Sequence, residues 1–166
     1  MPNQKERQKS PQSKIPEALV IERVFEAPRE RVFEAWTDPE LLRLWTSPRE
    51  FTITKTSGDL RPGGKWSATF HPESGPDLVV GGVYQEIEAP KRIVSTHYWL
   101  DERGKPGPET LMTVVLEDRG DETAMTFRQT GFETVEDRTG REAGWSECFE
   151  KLEELLAERV AVPVRR

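Results

Sequence analysis

The stretch Arg141-Glu-Ala-Gly-Trp-Ser-Glu-Cys-Phe-Glu-Lys-Leu-Glu-Glu-Leu-Leu-Ala-Glu-Arg-Val160 decides the fold of this chain. Its apolar residues recur at spacings of three and four, which is the repeat of one helical face. They are Trp145, Cys148, Phe149, Leu152, Leu155, Leu156 and Val160. The opposite face is charged, and Pro163 prevents the helix from continuing. We therefore predict an amphipathic helix of about five turns, which needs a partner surface on which to bury its apolar stripe.

The first part of the chain predicts one strand followed by two short helices. The β-branched residues of Leu19–Glu26 indicate a strand. Pro28 suits the first turn of a helix that runs from Arg29 to Thr37. Asp38 then has the side chain of an N-cap, and Pro39 suits the first position of a second short helix.

From Phe51 onward the apolar residues alternate with polar ones, and this period of two predicts strands. The six predicted strands are Phe51–Ser57, Lys65–His71, Leu78–Glu88, Arg92–Leu100, Thr110–Glu117 and Thr123–Thr130. Short turns between them imply an antiparallel sheet, and we expect Gly131–Gly140 to be a connector. A sheet of this length must curl and must have its apolar face covered. The sequence thus predicts an α+β fold: a curved antiparallel sheet of about six to seven strands around a long C-terminal helix, with two short helices after strand 1.

Length and composition set further limits. The 166 residues suit one domain, which we place at 18–161 between a flexible polar tail at 1–17 and a C-terminal tail at 162–166. A net charge of −6 argues against a nucleic-acid partner, and no apolar run approaches a membrane span. There is no apolar segment of a secretory signal, and the lone Cys148 excludes a disulfide framework, so we expect a cytoplasmic protein. The oligomeric state, including a homodimer, stays open.

Several motifs together resemble one known family. They are Phe25-Glu-Ala-Pro-Arg-Glu-Arg-Val-Phe-Glu-Ala-Trp-Thr-Asp-Pro-Glu40, Gly63-Gly-Lys-Trp66, Gly82-Val-Tyr-Gln-Glu-Ile87 and Gly144-Trp145. In this order they resemble the activator of heat-shock-protein-90 ATPase homologue (AHSA) family of the SRPBCC (START-like) superfamily, over about Leu19 to Ala157. The resemblance implies a helix-grip fold with a cavity between the sheet and the C-terminal helix. Members include ligand carriers, sequestering resistance proteins, cyclase or dehydratase relatives and a branch of co-chaperones.

The sequence contains no recognisable catalytic or metal-binding motif. The two histidines, His71 and His97, have no metal-ligand spacing, and there is no CxxC, HExxH or GxSxG. We therefore assign no catalytic residue, no metal and no cofactor.

The stronger signal is the number of aromatic residues expected on the inner face of the sheet and on the last helix. With two methionines and few polar groups they are typical of an adaptable apolar pocket. The predicted cavity residues are Trp66, Phe70, Tyr84, His97, Trp99, Met112, Met125, Phe127, Gln129, Trp145 and Phe149. The strand phase of His97 stays open between the cavity, a satisfied core position and the outer face, and Glu86 can face either side.

Three functions follow as hypotheses. The first is a non-catalytic protein that binds a small hydrophobic or aromatic molecule as carrier, sensor or sequestering agent. The second is a cyclase-, dehydratase- or hydrolase-type enzyme, which requires His97 to converge with Glu86 or Gln129. The third is a co-chaperone of a heat-shock ATPase. We rank it last because only about 18 polar residues precede the first strand, whereas the co-chaperones of this family carry a separate N-terminal domain.

Overall fold

The structure, a computed structural model, describes residues 17–161, with no side-chain description for 159–161. The predicted tails at 1–17 and 162–166 lie outside this range, apart from Glu17. Within the range the elements are β1 (Leu19–Phe25), α1 (Arg29–Thr37), α2 (Pro39–Trp45), β2 (Phe51–Gly58), β3 (Lys65–Pro72), β4 (Leu78–Glu88), β5 (Arg92–Leu100), β6 (Thr110–Arg119), β7 (Glu122–Thr130) and α3 (Val135–Ala161). None of the helices in the described range is long and apolar enough to cross a membrane.

The seven strands form one antiparallel sheet in the order β1-β7-β6-β5-β4-β3-β2. Consecutive strands from β2 to β7 are neighbours, and β1 joins the far edge beside β7. The register shifts in β2 between Ile53 and Lys55 and in β4 between Tyr84 and Glu86. Such bulges increase the local twist and bend the sheet. The predicted fold is confirmed: a curled antiparallel sheet holds a long C-terminal helix, and two short helices follow the first strand.

The local sequence signals explain the two short helices. Pro28 stands at the N-cap of α1, in the extended conformation. The Asp38 carboxylate accepts a hydrogen bond from the Glu40 amide, and Pro39 occupies the first position of α2. The two helices meet at a corner where the Trp36 and Trp45 rings lie edge to face, 4.7 Å apart.

The last helix begins at Val135, six residues before the predicted start at Arg141. The second half of the predicted connector Gly131–Gly140 is therefore helical, and that prediction was wrong. The Thr134 hydroxyl accepts a hydrogen bond from the Asp137 amide, which caps the helix, and acidic side chains at 136 and 137 favour its N-terminal dipole. The first turn has no apolar stripe because Val135 is exposed, so the periodicity could not reveal it.

Two separate clusters of buried apolar side chains form the core. The larger one joins β1, β4–β7, α1, α2 and the segment 145–156 of α3, and it includes Phe25, Phe127, Phe149, Leu152 and Leu156. The smaller one lies on β2, β3 and β4 and consists of Ile53, Ala68, Phe70 and Val80. Trp66 packs against both clusters. The inner face of the sheet is thus filled at its two sides and is bridged in the middle by one indole.

Candidate functional site

A pocket of about 250 Å³ lies where the two clusters fail to meet. Its walls come from the inner faces of β2–β6, from the first half of α3, from the segment that joins α2 to β2, and from one residue each of α1 and α2. The aromatic side chains that line it are Trp36, Phe51, Trp66, Phe70, Tyr84, Trp99 and Trp145. The small residues Ala68 and Ser95 face the same space, so the strands leave room that the helix does not fill.

Seven of the eleven predicted cavity residues line this pocket. They are Trp66, Phe70, Tyr84, His97, Trp99, Met112 and Trp145. The other four are buried but face packed core instead: Met125, Phe127, Gln129 and Phe149. Contact of any of them with a ligand stays a prediction.

Trp66 reaches across the sheet to form part of the pocket wall. It stands on β3 opposite Gly82 of β4, and its indole Nε1–H donates to the hydroxyl of Ser95 on β5 at 2.7 Å. A Cβ at Gly82 would lie 2.7 Å from that indole nitrogen and would overlap the carbonyl oxygen of Thr96. The indole can cross β4 because residue 82 has no side chain.

A chain of buried hydrogen bonds holds Trp145 in place. Its Nε1–H donates to Gln129 Oε1 at 3.0 Å, and Gln129 Nε2 donates to the Thr110 hydroxyl at 2.8 Å. The Thr110 hydroxyl in turn donates to the His97 carbonyl at 3.1 Å. Gln129 is completely buried, so both ends of its amide need these partners. Its role in the structure is to orient a wall residue, and it does not itself reach the pocket.

His97 lies on the pocket wall, in the inward phase of β5 with Ser95 and Trp99. Its ring packs against the Trp66 and Trp99 rings, with centroids 5.9 and 5.7 Å away. Burial, together with the nearby Arg141 cation, lowers the pKa of His97 to about 3. The imidazole is therefore neutral at physiological pH.

Arg141 is the one cationic side chain among the described residues that line the pocket. Its guanidinium carbon stands 5.3 Å from the centroid of the Trp99 ring and 5.9 Å from that of Phe132. Its NH1 lies 3.4 Å from His97 Nδ1. Burial lowers the pKa of Arg141, and the charge of Asp137 one turn earlier opposes that effect.

Glu86 faces away from the pocket, so its inward alternative was wrong. Its carboxylate pairs with Arg92 at 3.0 Å, and it is exposed. The cause is the bulge in β4: Tyr84 pairs with Ser95, but Glu86 pairs with Val94 instead of the next inward residue. The extra residue reverses the alternation, so that Glu86 turns outward.

The remaining titratable groups on the wall are uncharged. Burial raises the pKa of the Tyr84 hydroxyl to about 12 and that of the Cys148 thiol to about 12. No Asp or Glu belongs to the described lining. Across residues 17–161, no group of three or more His, Cys, Asp or Glu side chains is placed to hold a metal ion.

The segment between α2 and β2 is fastened to α3 beside the pocket. The Arg49 amide donates to the Glu147 carboxylate at 3.0 Å, and its guanidinium pairs with Glu154 at 2.9 Å. Lys151 Nζ donates to the Ser47 carbonyl at 2.7 Å. Pro48 thereby lies against Gly144, where an added Cβ would contact its ring at 3.6 Å. These contacts close one side of the pocket.

The wall residues that sequence reasoning missed include Trp36, Arg141 and Cys148. Cys148 was expected only as a small core residue, and it does prove to be buried. For Arg141 a signal existed, because it stands four residues before Trp145 and so extends the apolar stripe of the helix by one turn. A basic residue in phase with an apolar stripe indicates a charge that faces inward.

A curled antiparallel sheet that grips a long C-terminal helix, with a pocket between them, defines the helix-grip class of proteins. A model of the family described as "Activator of Hsp90 ATPase homolog 1-like protein" matches residues 26–157. The chain belongs to this family, as the sequence motifs indicated.

Solved structures of bacterial proteins share the fold. A crystal structure of a protein from Chromobacterium violaceum is 26% identical, with a TM-score of 0.77, and the match covers 84% of this chain and 96% of that one. An NMR structure of a protein from Arthrobacter aurescens is 29% identical, with a TM-score of 0.78 and coverages of 85% and 86%. The crystal structure of the AHSA1 protein from Silicibacter pomeroyi is 23% identical, with a TM-score of 0.78 and coverages of 86% and 99%. None of the curated proteins matches the sequence significantly.

Proposed function

We propose that this protein binds a small hydrophobic or aromatic molecule in the pocket between the sheet and α3, as a carrier, a sensor or a sequestering protein. The observation that carries the proposal is the aromatic lining of a pocket that the two core clusters leave between them. Ligand sites are commonly concave, mostly apolar and furnished with a few convergent polar groups. This pocket has that composition.

The size of the pocket limits the ligand. A dry cavity of about 150 Å³ accommodates benzene, and this pocket measures about 250 Å³. It therefore suits about ten non-hydrogen atoms, the size of a substituted single ring or a small bicyclic compound. Ligands of that size reach micromolar affinity when each atom contributes about 0.7 kcal/mol.

The polar groups near the pocket support binding better than proton transfer. The acid/base alternative required His97 to converge with Glu86 or Gln129, but Glu86 is outside and both ends of the Gln129 amide are engaged. A histidine with a pKa of about 3 is a weak base near neutral pH. These side chains instead shape and orient the wall.

A binding screen tests the proposal. The full chain is titrated with small aromatic compounds, such as indole, naphthol and cinnamate derivatives, and binding is followed by calorimetry and by tryptophan quenching. We expect saturable one-to-one binding with micromolar Kd for at least one compound. Four tryptophans line the pocket, so an occupied pocket should change the fluorescence. If no compound gives saturable binding, the proposal fails.

A matched pair of variants shows whether the pocket is the site. Ala68→Phe places a ring inside the pocket, whereas Thr69→Phe places the same ring on the other face of β3. We expect Ala68→Phe to weaken binding at least tenfold and Thr69→Phe to leave it within about twofold. Equal affinities in the two variants would locate the binding elsewhere.

A further inference from the structure

The pocket carries an electrostatic feature that a purely apolar ligand would not use. Of the described residues that line it, Arg141 is charged and none is acidic, while His97, Tyr84 and Cys148 are neutral at physiological pH. The pocket wall therefore has a charge of about +1, although the chain as a whole has a net charge of −6.

The Arg141 guanidinium has no counter-charge in contact with it. In the described part of the chain, no carboxylate oxygen lies within 4.0 Å of it, although Arg138, one turn earlier, pairs with Glu142 at 3.4 Å. Its neighbours are instead the Trp99 and Phe132 rings and one imidazole nitrogen. The guanidinium therefore borders the pocket with no carboxylate in contact, although the charge of Asp137 acts on it from one turn away.

His97 borders this cation on the pocket wall. Its Nδ1 lies 3.4 Å from Arg141 NH1, and its ring is neutral at physiological pH because burial and the Arg141 charge lower its pKa to about 3. The imidazole therefore adds no charge of its own to the space beside Arg141.

Resting on the function proposed above, we infer that the ligand is an aromatic carboxylate, whose anionic group pairs with Arg141 while its ring lies among Trp66, Trp99 and Trp145. The planar guanidinium fork matches a carboxylate with two parallel hydrogen bonds. The indoles and Met112 supply the apolar surface for the ring. Arg141 already packs on the Trp99 face, which keeps the fork in one orientation.

Pairs of acids and amides test the inference, because an amide has the shape of the acid without its charge. Benzoate, cinnamate, 2-naphthoate and indole-3-acetate are each compared with the corresponding primary amide by calorimetry at pH 7.5. We expect the wild-type protein to bind its best acid at least tenfold more tightly than the matching amide. If no acid binds more tightly than its amide, the inference is overturned, whereas binding of the amides would leave the proposed function intact. If neither acids, amides nor neutral aromatic compounds bind, both fail.

Variants of two arginines on the same helix show whether Arg141 is the source of the preference for acids over amides. Arg141→Met keeps an unbranched, flexible stem and removes the charge, and it should reduce acid binding to the level of the amide without changing amide binding. Arg141→Lys should retain part of the preference. Arg138→Met is the matched control, since Arg138 already has a carboxylate partner, and it should keep the full preference. An acid preference that survives in Arg141→Met would also overturn the inference. Thermal melts confirm that each variant is folded at the assay temperature.

Discussion

The two halves of α3 use one apolar stripe for different purposes. In the first half, Arg141, Gly144, Trp145 and Cys148 line the pocket. In the second half, the side chains of Phe149, Leu152 and Leu156 are buried in the larger core cluster. The stripe is continuous, so the helix alone does not decide where the pocket forms. The difference arises from the surface that faces each half.

Packing partners show how that surface changes. The Phe149 ring, at the start of the second half, has the Trp36, Trp45 and Phe127 rings within 6.1 Å. The first half faces small residues on the strands, such as Ala68. A cavity therefore forms where the side chains of the sheet and the helix together do not fill the space between them, although several of those side chains are aromatic.

Substitutions of one large residue in each half should separate stability from binding. Leu152→Ala removes a fully buried side chain, and we expect a loss of about 2–5 kcal/mol in the free energy of unfolding with the ligand Kd within about twofold of wild type. Trp145→Ala should lower stability as well and should also raise Kd at least tenfold. Urea unfolding followed by circular dichroism measures the first quantity, and calorimetry measures the second. Equal losses of both properties in both variants would mean that the two halves do not differ.

The buried hydrogen bonds behind Trp145 should contribute the next largest effect. Gln129→Leu leaves the Trp145 N–H without its acceptor, and we expect a loss of about 1–3 kcal/mol in the free energy of unfolding. Gln85→Leu is the control on an exposed site, and it should change stability by less than about 0.5 kcal/mol. A neutral result for Gln129→Leu would show that Trp145 is held by packing alone.

His97 should make stability depend on pH. Its pKa is about 3 in the folded protein against 6.5 for the free side chain. Between these values the unfolded chain binds more protons, so stability is complete above pH 6.5 and falls as the pH decreases, by at most about 1.4 kcal/mol per pH unit. Unfolding curves at pH 7 and pH 5 avoid most carboxylate titrations.

The change of the free energy of unfolding with pH, and not its absolute value, shows whether His97 is responsible. His97→Phe should remove up to about 2 kcal/mol of the difference between pH 7 and pH 5. His71→Asn, at the exposed histidine near the end of β3, is the control for loss of a histidine outside the pocket. If His97→Phe and wild type lose stability in parallel, His97 is not the buried neutral group.

The smallest effect is expected at Cys148, which lines the pocket and is 3% exposed. Cys148→Ala should lower the free energy of unfolding by about 1 kcal/mol and enlarge the pocket. Calorimetry with compounds of increasing ring size should then show a shift of preference toward larger ligands. Ser146→Ala on the same helix is a control that should leave this preference unchanged.

Most of the fold could be predicted from residue patterns. The helical spacing of three and four residues and the strand spacing of two both arise because one face of each element must be buried. The exceptions have local causes. The first turn of α3 has no apolar face, so only the cap at Thr134 marked it. The orientation of Glu86 depends on one extra residue in β4. The alternation of apolar and polar residues does not reveal such a bulge, so it could not predict which face Glu86 occupies.

The pocket was less predictable than the fold. Alternation correctly placed Phe70 and Phe127 on the inner face, but it could not say that one borders empty space and the other is packed. That distinction depends on how deeply the helix and the neighbouring side chains fill the concave face. It is a property of three-dimensional volume, which a one-dimensional pattern does not contain.

A substitution of Gly82 would alter the shape of the pocket without a change in any lining residue. Gly82 itself does not border the pocket, yet its missing side chain is what allows Trp66 to lie across β4 and form a wall. Any larger residue there would displace the indole and alter the shape of the pocket from behind. Specificity in such a protein can therefore diverge through a sheet position that no ligand touches, and comparison of lining residues alone would overlook it.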